Sequence, residues 1–450
     1  MNRYYTSTNT GVGRVEQSLL GMSPIVKIAF YALMSIFYFS NYYDWSLATA
    51  LATVKWTLSL TFAATVLLAA QRRDIPKGMV AVLPAVLLAL IALTVALSED
   101  ISTSAAYFAV LVMGISASWL FAGHISSRFA QAQFFEIIAN VGRVVIFSNA
   151  VMLAAGLSLG RGNRFSGWTD NPNTLALMLA PTLIILIAQI LERRRNVLLW
   201  NVPFLLVGLL LMLQTDSRAG ILWVAVAGLA MFAFRQGVGI SFWLSLLVGV
   251  VAIFWWDDIS GFVLSLVDRS RSGRVDADIL SGRSEMWPVG LDFFFQKPLT
   301  GHGPGMSEQI LYGMGLSFRE AQGSQFHNSY LTMLVEFGVV GAAAILLVVA
   351  TAVWSGARNS SLLSRQRNRL WPTQALPWVI LLGALGHAFF ETWIMSPGNA
   401  NSYLLWTCIW ILVNQRVAAR NSLGEPPIRA TRPRARKAIV GFSGKGAGAR

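Results

Sequence analysis

Four short stretches of this 450-residue chain hold side chains that could do chemistry. The Gly/Asn/Pro-rich GRGNRFSGWTDNPN carries Arg161 and Arg164, and TDSRAG carries Arg218. SGRSEMW carries Arg283 and is followed by the glycine-rich GHGPG at 301–305, which contains His302. FHNSY carries His327 and Asn328. Arginine keeps its charge and grips phosphate oxygens with a planar fork of donors. A neutral histidine can take the proton of an attacking hydroxyl. The combination suits transfer of a glycan from a lipid diphosphate. A diphosphate leaving group needs electrostatic stabilisation more than a proton, whereas a sugar hydroxyl is a poor nucleophile that needs a base. Direct attack in one step would invert the anomeric centre.

Each stretch also has a plainer reading. Arg161 and Arg164 could pair with lipid phosphates, and Arg283 with Glu285 on an exposed loop. The glycines of GHGPG are turn formers first and only weakly a phosphate nest. Asn328 and Ser329 could form a helix N-terminus. Arg218 adjoins Asp216 in what could be a local ion pair, but an arginine tucked between two apolar spans is costly unless it has work to do. His124 reads as an interfacial residue. His387 and Glu391 are spaced to share one helix face, as a structural hydrogen bond or a proton relay. No HExxH, no clustered carboxylates at metal-ligand spacing and no GxxxxGK[ST] occur, so the reading calls for no metal and no cofactor.

The elements that must position these residues are membrane spans. The chain is 55% hydrophobic and only 12% charged, about half the usual charge of a globular protein, which excludes a soluble multidomain enzyme. The single cysteine, Cys408, excludes an intramolecular disulfide and a cysteine metal cluster. Apolar stretches of spanning length, about 20 residues, recur at 24–41, 45–70, 78–97, 101–123, 133–159, 173–191, 198–215, 219–235, 239–256, 328–353, 374–395 and 398–415. Within 198–235, QTDSRAG either separates two spans or lies in one broken element. The expected class is therefore an all-α polytopic membrane protein of about 12 helices.

With both termini in the cytoplasm, about two-thirds of the 35 basic residues fall on the inner side. Domains follow as an N-terminal segment 1–23, a membrane domain 24–415 and a basic tail 416–450, predicted to be disordered and drawn to anionic headgroups. That tail accounts for much of the +14 net charge, so a nucleic-acid partner is not expected. The polar first twenty residues do not read as a cleavable signal peptide. The long connection 257–326 falls outside, and its apolar clusters MWPVGLDFFF and ILYGMGLSF predict short helices on the membrane surface. Arg161, Arg164, Arg218, Arg283 and His327 all fall on that acidic outer face, against the topogenic bias.

GRSEMWPVGLDFFFQKPLTGHGPG followed by FHNSYLTMLVEFGVVG resembles the hallmark stretch of the O-antigen ligase and Wzy-type polysaccharide polymerase superfamily. DSRAG is similar to its second arginine motif and DNPNTLALML to the preceding span, so the likeness covers about 170–341. In overall character the chain looks most like an exopolysaccharide polymerase. The resemblance implies a GT-C-like helical glycosyltransferase of the bacterial inner membrane, working metal-independently and with inversion on the periplasmic face. It implies that Arg218 and Arg283 hold undecaprenyl diphosphate and that His327 activates the acceptor hydroxyl. Arg161, Arg164, Asn328 and His302 are further candidates for substrate contact.

The implied partners are a lipid-linked glycan donor, a glycan acceptor and membrane lipids, with a chain-length regulator and export proteins beside them. A polymerase would use another lipid-linked repeat as acceptor, and a ligase would use lipid A core; the sequence does not separate them. A secondary transporter or lipid flippase is the reading from another class, drawing on Lys55, Arg143, Glu336 and the His387/Glu391 pair. No internal repeat supports it.

Overall fold

The computed structural model describes residues 21–39, 45–70, 79–159, 164–169, 171–192, 195–236, 283–314, 325–365, 372–396 and 398–424. The described elements are helical: α1 (Pro24–Phe39), α2 (Trp45–Ala69), α3 (Met79–Ala96), α4 (Ile101–His124), α5 (Arg128–Ala154), α6 (Pro172–Leu191) and α7 (Arg195–Gln214). After them come α8 (Arg218–Gln236), α9 (Arg283–Gln296), α10 (Met306–Gly313), α11 (Ser329–Arg365), α12 (Pro372–His387) and α13 (Ala400–Gly424). Each expected apolar stretch within the described residues coincides with one of these helices; 239–256 lies outside them, as do 1–20 and 425–450. Among the described residues, four helices are long and apolar enough to cross a membrane: Ile101–His124, Phe129–Ala154, Pro172–Leu191 and Ser329–Arg358. Six further apolar helices are shorter. Leu60, Leu67, Leu68, Leu199, Trp200 and Leu206 stay exposed, the surface a bundle presents to lipid and not to water.

Helix α6 is the centre of the bundle. Its run PNTLALMLAPTLIILIAQIL is apolar on every side, and it packs against α5, α7, α8, α12 and α13. Asn171 starts it by accepting from the Asn173 N–H, and Pro172 occupies the first turn, where a missing N–H costs nothing. QTDSRAG separates two helices: α7 ends at Gln214, Asp216 turns the chain with φ 49, and α8 begins at Arg218. Among the described residues the long connection holds two helices, α9 on the first predicted cluster and α10 overlapping the second.

Two departures from the sequence expectation matter. Helix α12 stops at His387, and 388–396 is a series of turns, although the hydropathy runs on to 395. Helix α11 breaks at Gly338, with φ 59 and ψ −171. A break inside a helix leaves backbone groups without partners, and the segment 298–303 supplies them. His302 N–H donates to Val335 O at 2.8 Å and Gly303 N–H to Glu336 O at 2.9 Å. In return Val339 N–H donates to Pro298 O at 2.8 Å and Val340 N–H to Leu299 O at 3.2 Å. Both sides need glycine: a Cβ on Gly338 would lie 2.4 Å from the Leu299 carbonyl, and one on Gly301 2.5 Å from that of Glu336.

Elsewhere, one arginine joins α5, α6 and α7. Arg143 donates to Glu136 Oε1 at 3.2 Å, Gln189 Oε1 at 3.1 Å, Asn201 Oδ1 at 2.8 Å and also to Asn140. Gln189 donates back to Glu136 at 2.6 Å and accepts from Asn201 at 2.8 Å, so the network closes on itself.

Candidate active site

His327 sits at the entrance of α11 in a left-handed backbone conformation, φ 49. For a residue with a β-carbon this costs roughly 1–3 kcal/mol and persists only where neighbours enforce it. Several do. Asn328 Oδ1 accepts from the Tyr330 and Leu331 N–H groups at 3.0 and 3.1 Å, capping the helix. The Phe326 carbonyl accepts from the Trp287 indole of α9 at 3.1 Å. Ser329 Oγ donates to Glu391 O at 2.7 Å and accepts from Trp393 N–H at 3.0 Å, and the Thr392 hydroxyl accepts from Asn328 N–H at 3.1 Å. The turns after α12 are thereby stapled to the start of α11.

That staple delivers Glu391 to His327. Glu391 Oε2 lies 2.9 Å from His327 Nδ1, and its Oε1 accepts from Asn173 Nδ2 at 2.8 Å. Asn173 Oδ1 in turn accepts from Arg164 Nη2 at 2.8 Å. The Arg164 guanidinium also holds the α7–α8 turn, donating to Thr215 O and Asp216 O, each at 2.9 Å. One unbroken line of hydrogen bonds thus runs from the turn that carries Arg218 to the imidazole. The His327 side chain is 25% exposed and that of Glu391 14%, so the line begins among backbone carbonyls and ends where a substrate can reach. A carboxylate only accepts, which puts the imidazole proton on Nδ1 and leaves Nε2 as the basic nitrogen.

The sequence candidates distribute unevenly around this line. Arg164 is part of it and Arg218 begins the helix that follows the held turn. Arg283 opens α9 one turn before Trp287, the residue that touches Phe326; its side chain lies outside the described residues, as does the whole of Arg161. Asn328 is the helix cap. His302 belongs to a separate cluster: Nδ1 lies 3.0 Å from Glu99 Oε1, Nε2 lies 2.9 Å from Phe293 O, and the side chain is 2% exposed. The Lys297 ammonium joins the same carboxylate at 2.9 Å. It holds the Glu99 carboxyl below its usual range, with His302 adding to the effect.

The expected His387/Glu391 pair does not form, because α12 ends between the two. His387 accepts instead from the Trp393 indole at 3.0 Å, and Trp223 lies beside it with ring centroids 5.3 Å apart. Glu391, Asn173 and Asp216 join the site only through contacts between segments far apart in the sequence. The only local signals are a carboxylate near the end of an apolar run and an asparagine-rich helix start. Among the described residues, no group of three or more His, Cys, Asp or Glu could hold a metal.

A family model described as O-Antigen ligase matches residues 202–346, the segment with Arg218, Arg283 and His327. Over this segment, about a third of its length, the chain is similar to the O-antigen ligase family. Exopolysaccharide production protein ExoQ of Rhizobium meliloti (strain 1021) is 28% identical over 138 residues, 28% of this chain. The matched region spans 29% of that relative's own length. Four apolar helices of spanning length, with this similarity beside them, mark a multi-pass membrane protein. Asn173 and Glu391 both lie outside the matched segment, so the hydrogen-bonded line joins it to the rest of the bundle.

Proposed function

We propose that this protein is a periplasm-facing glycosyltransferase of the bacterial inner membrane. It transfers an oligosaccharide from undecaprenyl diphosphate to a sugar hydroxyl of another lipid-linked repeat. The observation that carries this reading is His327: a quarter exposed, pinned at Nδ1 by Glu391, and joined through Asn173 and Arg164 to the turn before Arg218. The acceptor hydroxyl oxygen forms a bond to the anomeric carbon from the face opposite the diphosphate. The bond from that carbon to the diphosphate oxygen breaks, and the hydroxyl proton passes to Nε2 of His327. Arg218 and Arg283 neutralise the departing diphosphate, and Glu391 stabilises the imidazolium that forms. Three protein oxygens already hold the Arg164 guanidinium, which supports a positioning role for it. Twelve spans, both termini in the cytoplasm and a long external connection complete the topology.

Ligation to lipid A core is the second reading, favoured by the description of the matching family, whereas the relative's name speaks only of exopolysaccharide production. Deletion of the gene separates them. A polymerase leaves single lipid-linked repeats, whereas a ligase leaves long lipid-linked polymer. The transport reading loses its His387/Glu391 pair to the contact with His327. Purified protein that turns over a lipid-diphosphate donor supports the transferase, and one that leaves the donor intact while moving lipid across vesicles overturns it.

A further inference from the structure

The backbone at His327 is held on both sides of its α-carbon. A residue has only two soft backbone dihedrals, so the two flanking peptide planes together decide where its β-carbon points. The plane before His327 carries the Phe326 carbonyl, which accepts from the Trp287 indole of α9 at 3.1 Å. The plane after it carries the Asn328 N–H, which donates to the Thr392 hydroxyl at 3.1 Å. Glu391, next to Thr392 in the turns after α12, then holds the side chain itself at Nδ1. Three contacts thus fix an imidazole whose backbone, at φ 49, would relax towards negative φ if released. Two of them come from the turns after α12 and the third comes from α9.

Each of the two backbone contacts is steadied in turn. Trp287 packs against a small apolar cluster of Leu311, Phe326, Leu331 and Val335, separate from the main core. Helix α9 lies close against the start of α11 here, since a Cβ on Gly290 would sit 2.7 Å from the Leu331 side chain and 3.1 Å from that of Phe326. The Thr392 hydroxyl lies 3.2 Å from that of Thr332, one turn into α11. Packing alone does not call for an indole at 287. Phe293 and Phe294 on the same helix meet the cluster with phenyl rings, and what tryptophan adds is an N–H that finds an acceptor from within apolar surroundings. The helix that supplies it begins at Arg283, so the same bond sets that end of α9 in register with the peptide before His327.

We infer that Trp287 and Thr392 are positioning residues for His327, holding its two flanking peptide planes so that Nε2 faces the acceptor hydroxyl. The inference rests on the transferase reading and adds to it how the base is aimed. Both residues act through the backbone of His327 and not on the substrate.

The test uses full-length protein in detergent and the source strain's undecaprenyl-diphosphate-linked repeat. Benzothienylalanine at position 287 keeps the indole shape with sulfur in place of the N–H, which separates the hydrogen bond from the packing. Thr392→Val keeps the shape of threonine and removes its hydroxyl. Each should lower kcat about tenfold or more, within the hundredfold that roughly 1 Å of misplacement costs, while half-saturation by the repeat stays within about twofold. Thr392→Ser, which restores an acceptor, should recover most of the loss. The chain has four histidines, so a nitrogen-labelled histidine NMR spectrum is sparse and His327→Ala assigns its signal by loss. That signal should shift with benzothienylalanine and with Thr392→Val, and move less with Thr392→Ser. Wild-type kcat in both altered proteins, an unmoved His327 signal, or equal losses in Thr392→Ser and Thr392→Val would each overturn the assignment.

The two readouts separate this inference from the reading beneath it. If wild type consumes the repeat and both altered proteins match its kcat, the positioning role falls and the transferase stands. If wild type leaves the repeat intact while the His327 signal shifts as expected, the two contacts stand as what orients the imidazole and the transferase reading falls.

Discussion

Arg143 and Arg164 are both arginines fixed by amides and linked to a glutamate, yet they end in different places. The Arg143 network is a circuit: arginine, Glu136, Gln189 and Asn201 bond one another, and a branch through Asn140 to the Tyr31 hydroxyl ties in α1 as well. The Arg164 network is a line, with backbone carbonyls at one end and a part-exposed histidine at the other. A circuit satisfies polar groups and cross-links helices. A line with one open end transmits orientation to whatever binds there. Within one bundle, connectivity separates structure from chemistry better than residue type does.

The sharpest way to break this contrast is His327→Ala. Donor turnover should fall about 10²–10⁴-fold, the usual worth of a positioned base, with single lipid-linked repeats accumulating in cells and thermal unfolding of the purified protein little changed. Glu391→Gln keeps the shape but removes the carboxylate that fixes the imidazole. Initial rates should drop roughly tenfold to a hundredfold, the scale seen when a supporting partner of a histidine is lost. Arg164→Lys cannot reach three acceptors with one ammonium and should cost about tenfold in rate, some 1.4 kcal/mol. Arg143→Met should do the opposite, lowering stability by about 1–3 kcal/mol while leaving the rate per folded molecule unchanged; a rate loss like that of Arg164→Lys would erase the distinction.

The smallest effect concerns the third polar cluster, Glu99 with Lys297 and His302. The Glu99 carboxyl is depressed in the folded protein, so its contribution is fully present above the ordinary glutamate value, about pH 4.3. It is lost only as pH falls through the lower folded value. Hydrogen exchange of the His302 and Gly303 amides should stay slow on acidification to that point and quicken below it.

Hydropathy made the helices legible because a chain in lipid must satisfy its own backbone and so writes its spans as long apolar runs. The same signal misplaced the end of α12, since FFETWIM is apolar enough to hide the turns at 388–396. Arg218 and His327 were legible from residue type alone, being a cation and a base where apolar spans meet. The line between them was not. Glu391 meets His327 across 64 positions and Asn173 across 218, and contacts made only by tertiary packing leave no local spacing to read. The helical period even suggested a rival partner, His387, which a helix end then removed.

The exchange of main-chain bonds between 298–303 and the break at Gly338 has a consequence for how this region tolerates change. Removing one residue from the loop would misalign four backbone pairs at once, whereas altering the Thr300 side chain would disturb none of them. The glycine-punctuated signature is therefore a ruler: it encodes a length and two close approaches more than a set of reactive groups. Insertions or deletions there should ruin expression of the whole membrane domain, and among substitutions only those at the two closely approaching glycines, Gly301 and Gly338, should match them.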